Sequence, residues 1–347
     1  MKQETKIGFA DLMVSGRKIK DDFFKQVDKI IDWKPIDQMI CKYYKKGTSV
    51  SGRPSYDGLV LFKMCLLQTW YGLSDYELED QVNDRISFSK FVGLSLEDSV
   101  PDHSVISRFR SELTKKRVFE KIFQLINQQL ESANIIVRTG VIVDASITDS
   151  PRKPKGKKVY EAVEDRKEDE PTNTPQLQEK VQPGVDTEAR WIKKAGKLRY
   201  GYKKHVGTDP EGLVLGVVTT PANESDITHL DDILNASQVK KGMWVKGDKG
   251  YKSENNDKII RGRRMKNHIM HKAKKNLALT ERQNAFNKLV SKTRFKVERT
   301  FGSIKRWFNT GTARYIGLDK MHTQNLIESM AYNLYRSPGI IMSNCQK

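Results

Sequence analysis

The chain has little cysteine, no long apolar run and a shortage of acid, and each absence excludes something. Its 3 cysteines, Cys41, Cys65 and Cys345, lie far apart and match neither a disulfide framework nor a zinc spacing, so a reduced, cytoplasmic setting is expected. No run approaches the roughly 20 apolar residues of a membrane span. The opening MKQETKIGFADLMVSGRK lacks the apolar centre of a signal peptide, so export is not expected. Acid is scarce relative to base: 43 Asp and Glu stand against 62 Lys and Arg, a formal net charge of +19. That balance favours a polyanionic partner.

The excess is concentrated. Between Lys240 and Arg306 there are 21 Lys or Arg and 5 Asp or Glu, so most of the net charge lies in about a fifth of the chain. A length of 347 residues can hold two domains, each with its own core.

Residues 1–134 read as helices. Apolar spacing predicts one over 21–31, stopping at Lys34-Pro35, then a loop over 47–54 and a strongly apolar helix over 55–70 that centres the core. Ser74-Asp75-Tyr76-Glu77 is a capping box for the next helix, and 86–91 is a short helical turn closed by Gly93. The helix over 104–113 turns Val105, Ile106, Phe109 and Leu113 inward and Arg108, Arg110, Lys115 and Lys116 outward. It suits a DNA-reading helix and a bundle helix with a solvated basic face about equally. A further helix over 117–132 completes the set.

At residue 135 the pattern changes. Residues 135–147, IIVRTGVIVDASI, read as a buried strand, and 150–197 as a mostly polar, mobile insertion. Residues 198–206 and 213–220 form a hairpin around Thr208-Asp209-Pro210-Glu211-Gly212. A helix over 228–234, a strand over 243–246, a helix near 255–260, a strand near 268–271, a helix from Thr280 and a last helix over 321–335 follow. The fold class is therefore mixed α/β behind an all-helical amino-terminal part. The expected division is 1–134 as a helical domain for DNA binding or dimerisation, 135–336 as the catalytic domain with its insertion, and 337–347 as a tail.

Three carboxylates stand out. Asp144 lies inside a buried strand, where an ionised side chain demands a cation. Asp248 follows another strand, with Gly250 letting the backbone turn and the carboxylate face a crevice. Glu298 shares a helix with Arg294, Lys296, Arg299, Lys305 and Arg306. At about 100° per residue, Arg294, Glu298 and Lys305 fall within roughly 40° of one another, beside the stripe of Val297, Phe301, Ile304 and Phe308. Glu298 is either part of a solvated salt-bridge face or a ligand for a cation from outside. If the sheet sets the two strands side by side, all three acids can meet, and magnesium ions would satisfy their mutual repulsion with hard oxygen ligands.

Several ordered motifs resemble the DDE transposases of bacterial insertion sequences, in particular the fifth insertion-sequence family and its relatives. Gly52-Arg53-Pro54-Ser55-Tyr56, Tyr71-Gly72-Leu73-Ser74-Asp75, Phe91-Val92-Gly93-Leu94 and Pro101-Asp102-His103-Ser104 are similar to that family's helical amino-terminal part. Val143-Asp144-Ala145-Ser146, Tyr200-Gly201-Tyr202-Lys203-Lys204-His205, Ala222-Asn223-Glu224-Ser225-Asp226 and Asp248-Lys249-Gly250-Tyr251 resemble its catalytic part. Arg294, Glu298 and Lys305 match its Tyr-x2-Arg-x3-Glu-x6-Lys signature, with Ser291 in place of the tyrosine.

The resemblance implies a ribonuclease-H-like mixed sheet with flanking helices. Asp144, Asp248 and Glu298 would bind two Mg2+ ions, with Mn2+ able to substitute. It implies a bacterial, nucleoid-associated enzyme, working as a homodimer, that cleaves the element's ends and joins them to target double-stranded DNA, with no membrane partner. A nuclease without strand transfer and a non-catalytic DNA-binding protein are the alternatives. Lys203, Lys204, Arg263, Arg264, Lys266, Arg294, Arg299, Lys305 and Arg306 are the expected DNA contacts.

Overall fold

The computed structural model describes residues 22–44, 55–156, 160–163, 176–179, 182–274 and 277–345. The loop expected over 47–54 and the stretches 157–159, 164–175 and 180–181 of the insertion lie outside them. Seven helices come first: α1 (Asp22–Ile30), α2 (Lys34–Tyr43), α3 (Gly58–Tyr71), α4 (Asp75–Asp84), α5 (Ile86–Val92), α6 (His103–Lys115) and α7 (Val118–Ser132). The helix expected over 21–31 ends at Ile30, before Lys34-Pro35, and that pair also begins α2, because proline in the first turn has no N–H to leave unpaired. The capping box of α4 makes both of its bonds, Ser74 Oγ accepting from the Glu77 N–H and Glu77 accepting from the Ser74 N–H.

α3 is buried along its whole length from Gly58 to Trp70, as a helix apolar on every side must be. Its Lys63 Nζ donates to the Phe91 carbonyl and lies over the Trp33 ring. One outward residue of α6 was misassigned. Arg110 is buried, forks onto both Asp75 oxygens at 2.9 and 2.7 Å and lies over the Tyr315 ring, so it braces the bundle rather than facing DNA.

The second part runs β1 (Gly140–Asp149), β2 (Tyr160–Val163), β3 (Gln176–Glu179), β4 (Arg190–Lys194), β5 (Lys197–Thr208), β6 (Val214–Pro221), α8 (Leu230–Ala236), β7 (Trp244–Gly247), α9 (Glu254–Gly262), β8 (Lys266–Ile269), α10 (Glu281–Phe308) and α11 (Leu318–Cys345). Single 3-10 turns, Asp226–His229 and Lys249–Tyr251, precede α8 and α9. The main sheet places β6, β5, β1, β7 and β8 side by side, with β4 also on β5. β6, β5 and β1 pair antiparallel, whereas β1, β7 and β8 run parallel. This is the ribonuclease-H-like order the resemblance implies, flanked by helices.

Three local expectations change. The strand begins at Gly140, and Ile135 and Ile136 are buried ahead of it outside any strand. β4 lies inside the expected insertion; its apolar residues are few because both faces are largely exposed, and pairing with β5 holds it. The last helix continues through Pro338 to Cys345, taking in most of the expected tail. Ser337 Oγ donates to the Asn333 carbonyl in the turn that the proline interrupts.

The apolar core does not divide at 134. One cluster joins Leu66, Phe109 and Ile126 of the helices to Val143, Val206 and Val217 of the sheet and Met330 of α11. Polar ties cross the same seam: Asn333 of α11 donates to Asn127 of α7 at 2.9 Å and to the Val214 carbonyl at 2.7 Å, and accepts from the Val214 N–H. Trp70 Nε1 donates to the Ala331 carbonyl. Among the described residues, no helix is long and apolar enough to cross a membrane.

Candidate active site

Parallel pairing of β1 with β7 sets Val141 opposite Val245 and Ile142 opposite Lys246. Asp144 lies two residues further along β1, and Asp248 follows the last residue of β7, so the two carboxylates leave neighbouring strands at the same end. Gly247 permits this closeness: a Cβ there would stand 2.9 Å from Val143 Cγ2, tighter than side chains tolerate. Asp248 then caps the following turn, its Oδ1 accepting the Gly250 N–H at 2.6 Å.

α10 crosses this end of the sheet. Its amino terminus is fixed by a second capping box, Thr280 with Gln283, and Val297, Thr300, Ile304 and Phe308 are buried. Arg294, one turn before Glu298, reaches down to β1. Its Nη2 donates to Asp144 Oδ2 at 3.1 Å and lies 3.6 Å from Glu298 Oε1. Asp144 and Arg294 are 18% and 15% exposed, whereas Glu298 is 61% exposed. Burial pushes the Asp144 carboxyl above its ordinary value; Arg294 and the Ala145 N–H oppose this, and the Asp248 charge adds to it. Two of the three acids thus share one guanidinium, with the third within electrostatic reach. Among the described residues, no three His, Cys, Asp or Glu side chains close into a group able to hold a metal ion.

Apart from Arg294, which is held by the acids, the expected DNA contacts separate into three sets. Lys203 and Lys204 are corrected by burial. Lys203 is 5% exposed, paired with Asp226 at 2.8 Å and bonded to the Glu224 carbonyl, and Lys204 is 3% exposed and paired with Glu328 at 3.1 Å. Both act inside the protein. Arg263 and Lys305 are partly committed: Arg263 to Asp231 and to Asn235 at 2.7 Å, Lys305 to the Ile147 carbonyl at 3.0 Å. Burial, with Arg199 next, holds the Lys305 ammonium below its ordinary value. Arg264, Lys266, Arg299 and Arg306 face solvent, Arg299 with one bond to the Glu211 carbonyl.

Several residues beside the acids were assigned no role from the sequence. Tyr251 is fully buried, and its hydroxyl has no partner. Burial first, then the charges of Asp226, Asp144 and Asp248, push that hydroxyl well above its ordinary value. Asn256 clamps the two 3-10 turns together by donating to the Ile227 and Tyr251 carbonyls. Behind them His205 bonds Thr220 at 3.0 Å and lies 5.0 Å from the His229 ring, which is held by Glu224 and Asp232. Burial drives His205 down to about 3. Arg199 forks onto Asp149 at 2.7 Å twice. The available signals were the motifs that contain His205, Glu224 and Tyr251 and the clustering of His and acid in Glu224–Asp232; Arg199 gave none.

Comparison with known proteins places these motifs in context. A transposase domain matches residues 13–112, and a transposase DDE domain matches residues 137–334. The chain is 35% identical over 232 residues to the transposase for insertion sequence element IS1106 of Neisseria meningitidis serogroup B, covering 66% of this chain and 76% of that protein. Among solved structures, the piggyBac transposase synaptic complex with hairpin DNA aligns with a TM-score of 0.43 and 11% identity over 96% of this chain and 78% of that one. The Mos1 transposase paired-end complex with the left transposon end aligns at 0.21 and 11%, over 98% and 94%.

Proposed function

The chain belongs to the transposase DDE domain family, and on that premise we propose that it cleaves the ends of an insertion sequence and joins the freed 3′-hydroxyls to target DNA at the site formed by Asp144, Asp248 and Glu298. The observation that carries this reading is the Arg294 bridge, which reaches Asp144 across 150 residues of sequence and links it to Glu298 beside Asp248.

Enzymes of this family use divalent metal ions, and the donor set suits one. All three groups offer hard carboxylate oxygens, and Asp144, the buried member, already requires a cation beside it. We assign two Mg2+ ions to Asp144, Asp248 and Glu298, with Mn2+ as a substitute. A bound divalent ion supplies Lewis acidity, lowering the pKa of the attacking water or hydroxyl and stabilising the leaving oxygen. The chain's own part is to hold the oxygens still. Strand pairing fixes Asp144, the turn bond to Gly250 fixes Asp248, and the packed face of α10 fixes the helix that carries Glu298.

Arg264, Lys266, Arg299 and Arg306 are assigned to DNA phosphates, with Arg263 and Lys305 joining them at the groove's edge; such contacts position DNA without reading sequence. Residues 1–134 bind DNA or dimerise, a division of labour rather than of packing, since the core is continuous. Two ends must meet, so a homodimer on double-stranded DNA is the working form.

The test is Asp144→Asn on a labelled linear DNA carrying the element's end. Cleavage disappears while binding stays, because the substitution keeps the shape and removes one negative charge. Retained cleavage would overturn the assignment. Supplying an end already cut, with a free 3′-hydroxyl, separates joining from simple hydrolysis: product joined to a second duplex supports transposition, and its absence points to a nuclease.

A further inference from the structure

Arg294 carries an inference that rests on this reading of the site. Its Nη2 lies against the Asp144 oxygen at 3.1 Å and the Glu298 oxygen at 3.6 Å, while its Nε is buried without a partner. The Arg294 side chain is 15% exposed and belongs to a 28-residue helix that packs on β1 and β7. It thus stands between two of the three carboxylates, in an arrangement where, among the described residues, no three acids meet closely enough for a metal ion.

We infer that Arg294 is the internal counter-ion of the metal-free chain: it occupies the position between Asp144 and Glu298, and metal loading requires its release toward the DNA phosphate. Two cations cannot share the same lone pairs, and a buried carboxylate such as Asp144 cannot be left unpaired. The two states therefore exchange one cation for another. The unpartnered Nε fits this picture, since a donor without a bond beside the acids becomes useful once the guanidinium moves to a phosphate, which accepts two parallel N–H bonds. Free metal and DNA then act together: DNA stabilises the released arginine, and the released arginine vacates the acids. The released arginine would be a positioning residue for the metal ligands before it is a DNA contact.

The experiment measures Mn2+ binding to the full-length chain without DNA, from the loss of the free ion's electron paramagnetic resonance signal. Arg294→Gln is expected to bind Mn2+ roughly tenfold more tightly than the wild type, the scale of one lost charge-assisted pair. Arg294→Lys keeps the charge but carries it on a shorter stem than the Nη2 that meets both oxygens, and it is also expected to bind more tightly than the wild type. Its circular dichroism supplies a folded control should the glutamine variant not fold. An unchanged Mn2+ affinity in Arg294→Gln overturns the inference. So does Arg294→Lys matching the wild type while Arg294→Gln tightens, because net charge alone would then account for the effect. Asp144→Asn serves as the separate arm. It is expected to abolish the Mn2+ binding, and if it binds as the wild type does, the assignment of the metal site falls and not merely the role of Arg294.

Discussion

Lysines on β5 and arginines on α10 belong to the same basic chain, yet the fold uses them in opposite ways. Lys203 and Lys204 point into the protein and meet Asp226 and Glu328, whereas Arg299 and Arg306 stay on the solvent side of a helix whose other face is packed. A run of cations in sequence is therefore no guide to a DNA surface until the elements' faces are known. On β5, alternation sends the two lysines to opposite faces and both faces are covered, that of Lys204 by α11 and that of Lys203 by the turn at Asp226; on α10, the 3.6-residue period decides.

The sharpest way to break this comparison is at Lys204. Both members of its pair with Glu328 are 4% exposed. Removing one partner leaves a buried charge alone, so Glu328→Ala should cost about 3–5 kcal/mol, while the double change Lys204→Met with Glu328→Leu should come close to neutral. Urea unfolding measures both. If Glu328→Ala costs less than 1 kcal/mol, within the range of a surface ion pair of about 0–1 kcal/mol, the buried side of the comparison fails.

A second prediction concerns pH on the same buried side. His205 is neutral in the fold because burial holds it at about 3, against an ordinary 6.5 in the unfolded chain. Its folded value is depressed, so its contribution is present above about pH 6.5 and is lost as pH falls from there toward 3. Within that window the unfolded state binds one more proton, a slope of about 1.4 kcal/mol per pH unit. Unfolding free energies of His205→Gln against wild type between pH 7 and pH 4 should show the variant flatter by up to that slope. Parallel curves would remove His205 from the account.

How much of this was legible in the sequence depends on which force fixes each element. α4, α6 and α10 were readable because their apolar period and their Ser74, Asp102 and Thr280 caps act locally. β4 was not, because Arg190–Lys194 has no apolar face and is held only by pairing with β5, a long-range interaction without a local signature. The order of the acids along the chain was readable; the guanidinium between two of them was not, since contact across 150 residues depends on how α10 crosses the sheet. Arg110 looked outward by charge alone. Its fork onto Asp75 shows that a buried arginine with an acid partner has the same sequence appearance as an exposed one.

Tyr251 tests a smaller effect. Its fully buried hydroxyl has no partner, a group that costs about 1–3 kcal/mol when left unsatisfied. Tyr251→Phe should therefore raise stability by about 1 kcal/mol, seen as a higher unfolding midpoint. A drop instead would show that the hydroxyl is bonded in the native state.

The smallest expected change lies on the exposed side. Arg306 is exposed in the last turn of α10. Arg306→Ala should alter folding stability by less than about 0.5 kcal/mol, yet lower the slope of log affinity for DNA against log salt by about 1, weakening every DNA sequence alike. The double change at Lys204 and Glu328 should leave that slope untouched, because neither side chain reaches a phosphate. Should both variants shift the slope equally, burial would not separate structural cations from binding ones; should Arg306→Ala weaken the element's own end alone, the residue would be reading bases rather than holding the backbone.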